Sequence, residues 1–125
     1  MIAFVDGEQG SDIVERVLLD PDSECFAHAI NLCEVFYGFH RVGGEGNAKQ
    51  VINDLSAMGV TERSDFDSAF WQEAGTIKAV HKRVSLADCF AIALTNRAGA
   101  VLLTTDHHEL DALAAAAVCP IQFIR

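Results

Sequence analysis

The sequence predicts an α/β fold, in which helices cover both faces of a mostly parallel sheet to form a three-layer α/β/α sandwich. Short apolar runs alternate with segments of helical periodicity, which is the pattern of parallel strands joined by helices. The clearest example runs from Ser85 to Asp106, where an N-capped helix is followed by an apolar, partly β-branched run that ends at a single acid. Because ligands of such sheets bind beyond the carboxyl ends of the strands, we expect a site at that edge.

Composition limits the class of protein. The 125 residues are half hydrophobic, which is enough for one domain with its own core. No signal peptide or apolar run of membrane-spanning length occurs, so we expect a cytoplasmic protein with no membrane partner. The widely spaced Cys25, Cys33, Cys89 and Cys119 include no CxxC pair and are expected to be reduced. A formal net charge of -9 argues against nonspecific attachment to nucleic acid, although it permits a small basic strip.

The first half of the chain carries turn and cap residues between its apolar segments. Asp20–Ser23 is a turn sequence, and Gly59 stops a helix. Asn31, with Glu34 three residues later, is typical of an N-cap and its reciprocal acid. In order, we predict a helix capped by Ser11, a buried strand over Cys25–Ala29, a helix over Asn31–Phe39, a flexible loop over Val42–Gly46, an amphipathic helix from Ala48 to about Met58 and a polar edge strand over Val60–Arg63.

The second half continues the alternation. In order, we predict a helix opened by Asp65 or Asp67 that runs to about His81, a helix capped by Ser85 that ends near Asn96–Gly99, a strand over Ala100–Thr105, an alanine-rich helix opened by Asp106–Glu109 and an edge strand over Ile121–Ile124. A basic strip precedes the Ser85 helix and consists of Lys78, His81, Lys82 and Arg83. It is either a contact for an anion or a solvated helix end whose cations meet the negative end of the dipole.

Three acids, Glu34, Asp88 and Asp106, occur where a strand ends or a helix starts. Taken singly, each is explained as a helix cap contributing on the order of 1 kcal/mol. Taken together, they fall on one edge of a parallel sheet. Two carboxylates about 4 Å apart repel by roughly 4 kcal/mol at an effective dielectric of about 20, so such a cluster binds protons or a cation. Oxygen donors select Mg²⁺ or Mn²⁺, and the adjacent His107 and His108 do not suit zinc because they point in different directions on a helix.

Three segments resemble, in the same order, the downstream acidic motifs of PIN domains, especially those of the VapC-type ribonuclease toxins of toxin–antitoxin systems. They are Ala29–Val35, Ser85–Ala91 and Leu103–Asp106, and each contains one of the three acids. Gly7–Gly10 and Cys119–Arg125 are similar to stretches that flank those motifs. The resemblance covers nearly the whole chain, which is therefore expected to be a single PIN-like domain, residues 1–125.

The resemblance implies a metal-dependent endoribonuclease that hydrolyses RNA and is held as a toxin by an antitoxin protein. Glu34, Asp88 and Asp106 would be its catalytic residues and metal ligands. They would hold one or two Mg²⁺ or Mn²⁺ ions, which activate water and stabilise the charge of the transition state.

The same resemblance implies supporting roles for other residues near the metal and the RNA. Glu109 would be an outer acid that orients a water on the metal. Thr104 or Thr105 would donate to a phosphate or to the Asp106 carboxylate. Lys82 and Arg83 would contact the RNA backbone, which would make binding salt dependent.

The amino-terminal segment departs from the family pattern. PIN domains ordinarily begin with a central strand that ends in a first aspartate, followed by a short helix and a Gly-Glu-x-Gly turn, whereas here the turn Gly7–Gly10 arrives almost at once. Met1–Val5 is then a remnant of the first helix, with the strand missing, as sequence similarity favours. Alternatively, Met1–Asp6 is the strand and Asp6 the fourth acid, which avoids leaving neighbouring backbone groups unpaired. We prefer the first interpretation.

The missing first acid suggests an alternative function, a catalytically degenerate PIN-like binding module that still docks a partner. A phosphatase or receiver-like domain would also have an acidic pocket, but it needs an aspartate at the end of its first strand. The aromatic residues Phe36, Tyr37 and Phe39 would line an interface with a partner or with a second copy in a homodimer, or they would pack in the core.

Overall fold

The computed structural model describes residues 9–124, which form a helix-rich α/β structure. The chain divides into two compact units, Met1–Ser64 and Asp65–Arg125. The described elements of the first unit are α1 (Ser11–Leu19), β1 (Cys25–His28), α2 (Ala29–Ala57) and β2 (Val60–Arg63). Those of the second unit are α3 (Ser68–Val80), α4 (Leu86–Ala98), β3 (Leu102–Thr104), α5 (His107–Ala115) and β4 (Ile121–Phe123).

The described strands form two parallel pairs. Cys25 of β1 lies opposite Val60 of β2, and Leu102 of β3 lies opposite Ile121 of β4. A helix joins the two strands of each pair, as a parallel connection requires. The predicted α/β class with parallel strands is confirmed. Both interpretations of Met1–Asp6 concern residues outside the described part of the chain.

The core of the first unit forms between β1 and α2. Its buried apolar residues are Ala27, Leu32, Val35, Val51 and Leu55, with Phe39, Ile52 and Val60 packed against them. Val51 and Leu55 belong to the apolar stripe predicted for the Ala48 helix, so that amphipathic pattern is confirmed. Core packing also explains Phe39. Tyr37, by contrast, is 45% exposed, and the Arg41 guanidinium lies 4.9 Å from the centroid of its ring.

Helix α2 begins before the predicted position. The backbone N–H of Ile30 donates to Nδ1 of His28 over 3.1 Å, which makes His28 the N-cap. The prediction of Asn31 as the cap and Glu34 as its reciprocal acid is wrong, because both residues lie inside the helix. His28 is only 3% exposed, so its side chain is packed in the interior of the first unit.

The loop predicted over Val42–Gly46 is reduced to a break at one residue, and the rest of that segment is helical. The exception is Gly44, whose backbone is non-helical with φ 82° and ψ 176°. Glycine adopts such a positive φ without a steric cost, so Gly44 can kink the helix locally. Three glycines in five residues favour a loop. Val35 and Leu55, on either side of the kink, are buried in the core, and this packing stabilises the helical segments that carry them.

Helices α3 and α4 pack together and supply much of the core of the second unit. Buried Phe70 and Phe90 contact each other with ring centroids 5.7 Å apart. Asp67 is the N-cap of α3, as one of the two predicted openings, and accepts from the N–H of Phe70 over 3.0 Å. The Arg97 guanidinium of α4 donates to Asp67 and, over 3.1 Å, to Asp65. Arg97 therefore joins the end of α4 to the beginning of α3.

Helices α4 and α5 end in the same way. Gly99 follows α4 with φ 61°, and Ala117 follows α5 with φ 53°. In each case the N–H of the left-handed residue and the N–H of the next residue donate to carbonyls of the last turn, which are those of Asn96, Thr95, Ala114 and Leu113. Both ends are Schellman motifs, one with glycine and one with alanine at the left-handed position.

Across residues 9–124, no helix is both long enough and apolar enough to cross a membrane. The four cysteines are free thiols. Burial raises the pKa of the Cys89 and Cys119 thiols, which keeps both protonated and weakly nucleophilic.

Candidate metal centre

Asp88 lies in the first turn of α4, as predicted. Ser85 is the N-cap of this helix, and its Oγ accepts from the backbone N–H of Asp88 over 3.1 Å. In a capping box the acid of the first turn would in return accept from the N–H of the N-cap residue. Here the N–H of Ser85 donates instead to Oε2 of Glu109 over 3.2 Å. Glu109 thus takes the place of Asp88 in the second bond of the box.

Asp106 joins β3 to α5. Its backbone N–H donates to Oγ1 of Thr104, the last residue of the strand, over 3.0 Å. Its Oδ1 accepts from the N–H of Glu109 over 3.1 Å, which makes Asp106 the predicted N-cap of α5. Thr104 therefore holds the backbone of Asp106. These two bonds fix the chain where the strand ends and the helix begins.

Asp88, Asp106 and Glu109 form an acidic cluster, in which one carboxylate oxygen of each lies within 4.8 Å of the others. All three residues are half-buried. The pKa of Asp88 is raised to about 7, mainly by burial and then by a side-chain hydrogen bond with Glu109. The charges of Glu109 and Asp106 raise the pKa further, whereas a hydrogen bond between the Ser85 and Asp88 side chains lowers it. Asp88 therefore keeps its proton up to about neutral pH, mainly because burial disfavours its charged form and also because the neighbouring carboxylates repel it.

The donor set of the acidic cluster fits a small divalent cation. Every donor is a carboxylate oxygen, the ligand type that Mg²⁺ and Mn²⁺ prefer. A cation at this position would replace the retained proton and offset the repulsion between the acids. The neighbouring His107 is engaged elsewhere, with Nδ1 2.9 Å from Oδ1 of Asp111 and its ring stacked on Phe123 at a centroid distance of 4.1 Å.

Glu34, the remaining predicted ligand, lies in the first unit on the second turn of α2, directly after β1. It is half-buried. The structure thus brings together Asp88 and Asp106 of the second unit, and metal ligation by Glu34 stays a prediction. Asp6, the alternative first acid, lies outside the described residues.

Glu109, which the resemblance implies to be an outer acid, contributes a carboxylate oxygen to the acidic cluster. The hydrogen bond between Glu109 and Ser85 joins residues 24 positions apart, so no local sequence pattern predicts that bond.

One residue of the basic strip, Lys78, stabilises the chain before α4 through hydrogen bonds. Nζ of Lys78 donates to the carbonyl oxygen of Lys82 over 2.9 Å and to that of Val84 over 2.7 Å. Lys78 thereby holds the turn that leads into α4. Lys82 and Arg83 are exposed.

Comparisons with known proteins identify the family of this chain. A family model described as PIN domain matches residues 1–116. The chain is similar to a chain of the DNA-bound VapBC structure from Salmonella typhimurium, with a TM-score of 0.71 and 18% identity over 99% of this chain and 91% of that one. It is similar to a chain of VapBC-1 from nontypeable Haemophilus influenzae, with a TM-score of 0.72 and 18% identity over 98% and 92%. No curated protein matches the sequence. Because the family model covers far more than half of it, the chain belongs to the PIN domain family.

Proposed function

We propose that this protein is a metal-dependent endoribonuclease of the VapC type, the toxin of a toxin–antitoxin pair. The observation that carries this proposal is the half-buried acidic cluster of Asp88, Asp106 and Glu109 in a chain of the PIN domain family. The fold shared with chains of two VapBC structures supports the VapC assignment. The family model continues across both compact units, which supports a single domain over residues 1–125.

Glu34, Asp88 and Asp106 would hold Mg²⁺ or Mn²⁺. When bound, the ion supplies an activated water and a positive charge beside the phosphate that is cleaved. The protein's own contribution is to fix its carboxylates before the reaction. Ser85 fixes the backbone of Asp88 and Thr104 that of Asp106, so little reorganisation is needed when charge develops.

The substrate and partner follow from the same proposal. RNA would lie along the exposed side chains of Lys82 and Arg83, next to the start of α4, and its binding would weaken with salt. An antitoxin protein would restrain the toxin, as the VapBC assembly of the similar structures suggests. The free thiols are in keeping with action in the reducing cytoplasm. Exposed Tyr37 is available to an antitoxin or to a second copy in a homodimer.

The test is cleavage of single-stranded and structured RNA with Mg²⁺ or Mn²⁺. We expect Asp88→Asn to lower kcat by roughly 100-fold or more, since it removes a carboxylate that would hold the catalytic ion. Asp111→Asn is the matched control, because Asp111 is an exposed acid on α5 that pairs with His107. It should cleave like the wild type.

Calorimetric titration with Mn²⁺ separates this proposal from a catalytically degenerate binding module. A nuclease centre should bind Mn²⁺ clearly more tightly than the Asp106→Asn variant does. Equal binding by the two proteins, together with no metal-dependent cleavage, would contradict the proposal and favour the binding module.

A further inference from the structure

We propose that Glu109 is a positioning residue, whose carboxylate completes the cap of α4 and thereby leaves the carboxylate of Asp88 to the metal centre. This inference rests on the proposed function. Its central observation is the hydrogen bond from the Ser85 N–H to Oε2 of Glu109, 3.2 Å long, between residues 24 positions apart.

A helix start explains why this bond matters. The first N–H groups of a helix have no partner within it and need acceptors from elsewhere. In α4 the sequence offers Ser85 and, three residues later, Asp88, the two members of a local capping box. Were Asp88 to accept from the Ser85 N–H in addition to its side-chain hydrogen bond with Ser85, more of its lone pairs would be committed to its own helix start. Because Glu109 accepts from that N–H, Asp88 is released from this task.

Glu109 is itself held by the other half of the centre. Its backbone N–H donates to Oδ1 of Asp106, the N-cap of α5. Its side chain also hydrogen bonds to Asp88. Glu109 therefore makes contacts at the starts of both helices, with Ser85, Asp88 and Asp106. Because Oε2 accepts the Ser85 N–H, the Glu109 carboxylate has a structural task at the start of α4.

Two substitutions separate positioning from ligation. Glu109→Gln keeps a carbonyl oxygen that accepts from the Ser85 N–H, whereas Glu109→Ala removes that acceptor. Kinetics at saturating Mn²⁺ exclude a simple loss of metal affinity. We expect Glu109→Ala to lower kcat by roughly 10- to 100-fold with KM for RNA little changed, and Glu109→Gln to recover most of that loss. Amide exchange in the metal-free protein should accelerate at Ser85 in the alanine variant but not in the glutamine variant.

The other outcomes are equally informative. Equal losses in both variants, as large as that of Asp106→Asn, would make Glu109 a ligand and overturn the inference. Wild-type kcat in both variants, measured below their unfolding temperatures, would overturn it too. If the wild type neither binds Mn²⁺ nor cleaves RNA, the proposed function fails. The exchange rates still decide whether Glu109 holds the start of α4: faster Ser85 exchange in the alanine variant alone supports that contact, and equal rates refute it.

Discussion

Asp88 and Asp106 begin two different helices of the second unit and bring carboxylate oxygens within 4.8 Å of each other. Each backbone is fixed by a hydroxyl of its own neighbourhood, Ser85 for Asp88 and Thr104 for Asp106. These bonds fix the two backbones, and Oδ1 of Asp106 is also held by the N–H of Glu109. The metal-free centre therefore carries an electrostatic cost, which leads to the first two predictions.

Asp88→Asn should stabilise the metal-free protein at pH 8 by up to about 1 kcal/mol, a value limited by solvent screening of half-buried charges. The asparagine amide removes a repelled charge and can donate to Glu109, as the protonated acid does. Thermal unfolding without metal measures the change, and Asp111→Asn should show none. A lower midpoint for Asp88→Asn would mean that the ionised carboxylate makes net favourable contacts.

Stability of the metal-free protein should fall as the pH rises from about 4 to about 8. The pKa of Asp88 is about 7 in the folded protein and has an ordinary value of 3.8. Between these values the folded state binds more protons than the unfolded state, so raising the pH favours unfolding. Urea unfolding at several pH values tests this. The slope should flatten in Asp88→Asn, and a slope unchanged in that variant would assign the effect to another group.

Lys78→Met should lower stability by about 2 kcal/mol, because hydrogen bonds from a charged donor to the carbonyls of Lys82 and Val84 are lost while the apolar stem is kept. Lys82→Met, at an exposed position, should change stability by less than about 0.5 kcal/mol. Urea midpoints of the two variants give the comparison. Equal effects would show that the turn before α4 does not depend on Lys78.

Ala117→Gly and Gly99→Ala should shift stability in opposite directions, by roughly 0.5–1 kcal/mol each. Both positions have a left-handed backbone at the end of a helix. A Cβ at Gly99 would meet no atom within 4 Å, so the alanine there reports backbone strain alone. Chemical denaturation should find Ala117→Gly more stable than the wild type and Gly99→Ala less stable. Shifts of the same sign would contradict this account.

Local signals predicted most elements because their causes are local. Ser85 and Asp67 cap the helices that they precede, and Gly99 ends one, since a short polar side chain or a positive φ acts within a few residues. The same reasoning failed at Asn31, because His28 supplies an acceptor nitrogen earlier in the chain. It overestimated the loop over Val42–Gly46, because only Gly44 is non-helical and the residues on either side of it belong to α2.

Of the candidate site, Asp88 and Asp106 could be predicted to lie together, since a helix start and a strand end share one edge of an α/β unit. The position of Glu109 within the acidic cluster could not. It depends on the hydrogen bond from the Ser85 N–H to Glu109, 24 residues away. The local pattern Ser85-x-x-Asp88 instead predicted that Asp88 would accept from that N–H.

The dependence of the Ser85 amide on Glu109 also orders events during translation. The ribosome adds Ser85 and Asp88 before Glu109, so a nascent chain carries the first half of the centre without its remote acceptor. Domains fold as units once enough of their chain has emerged. The acidic cluster is therefore complete only after residues 106–109 have left the exit tunnel.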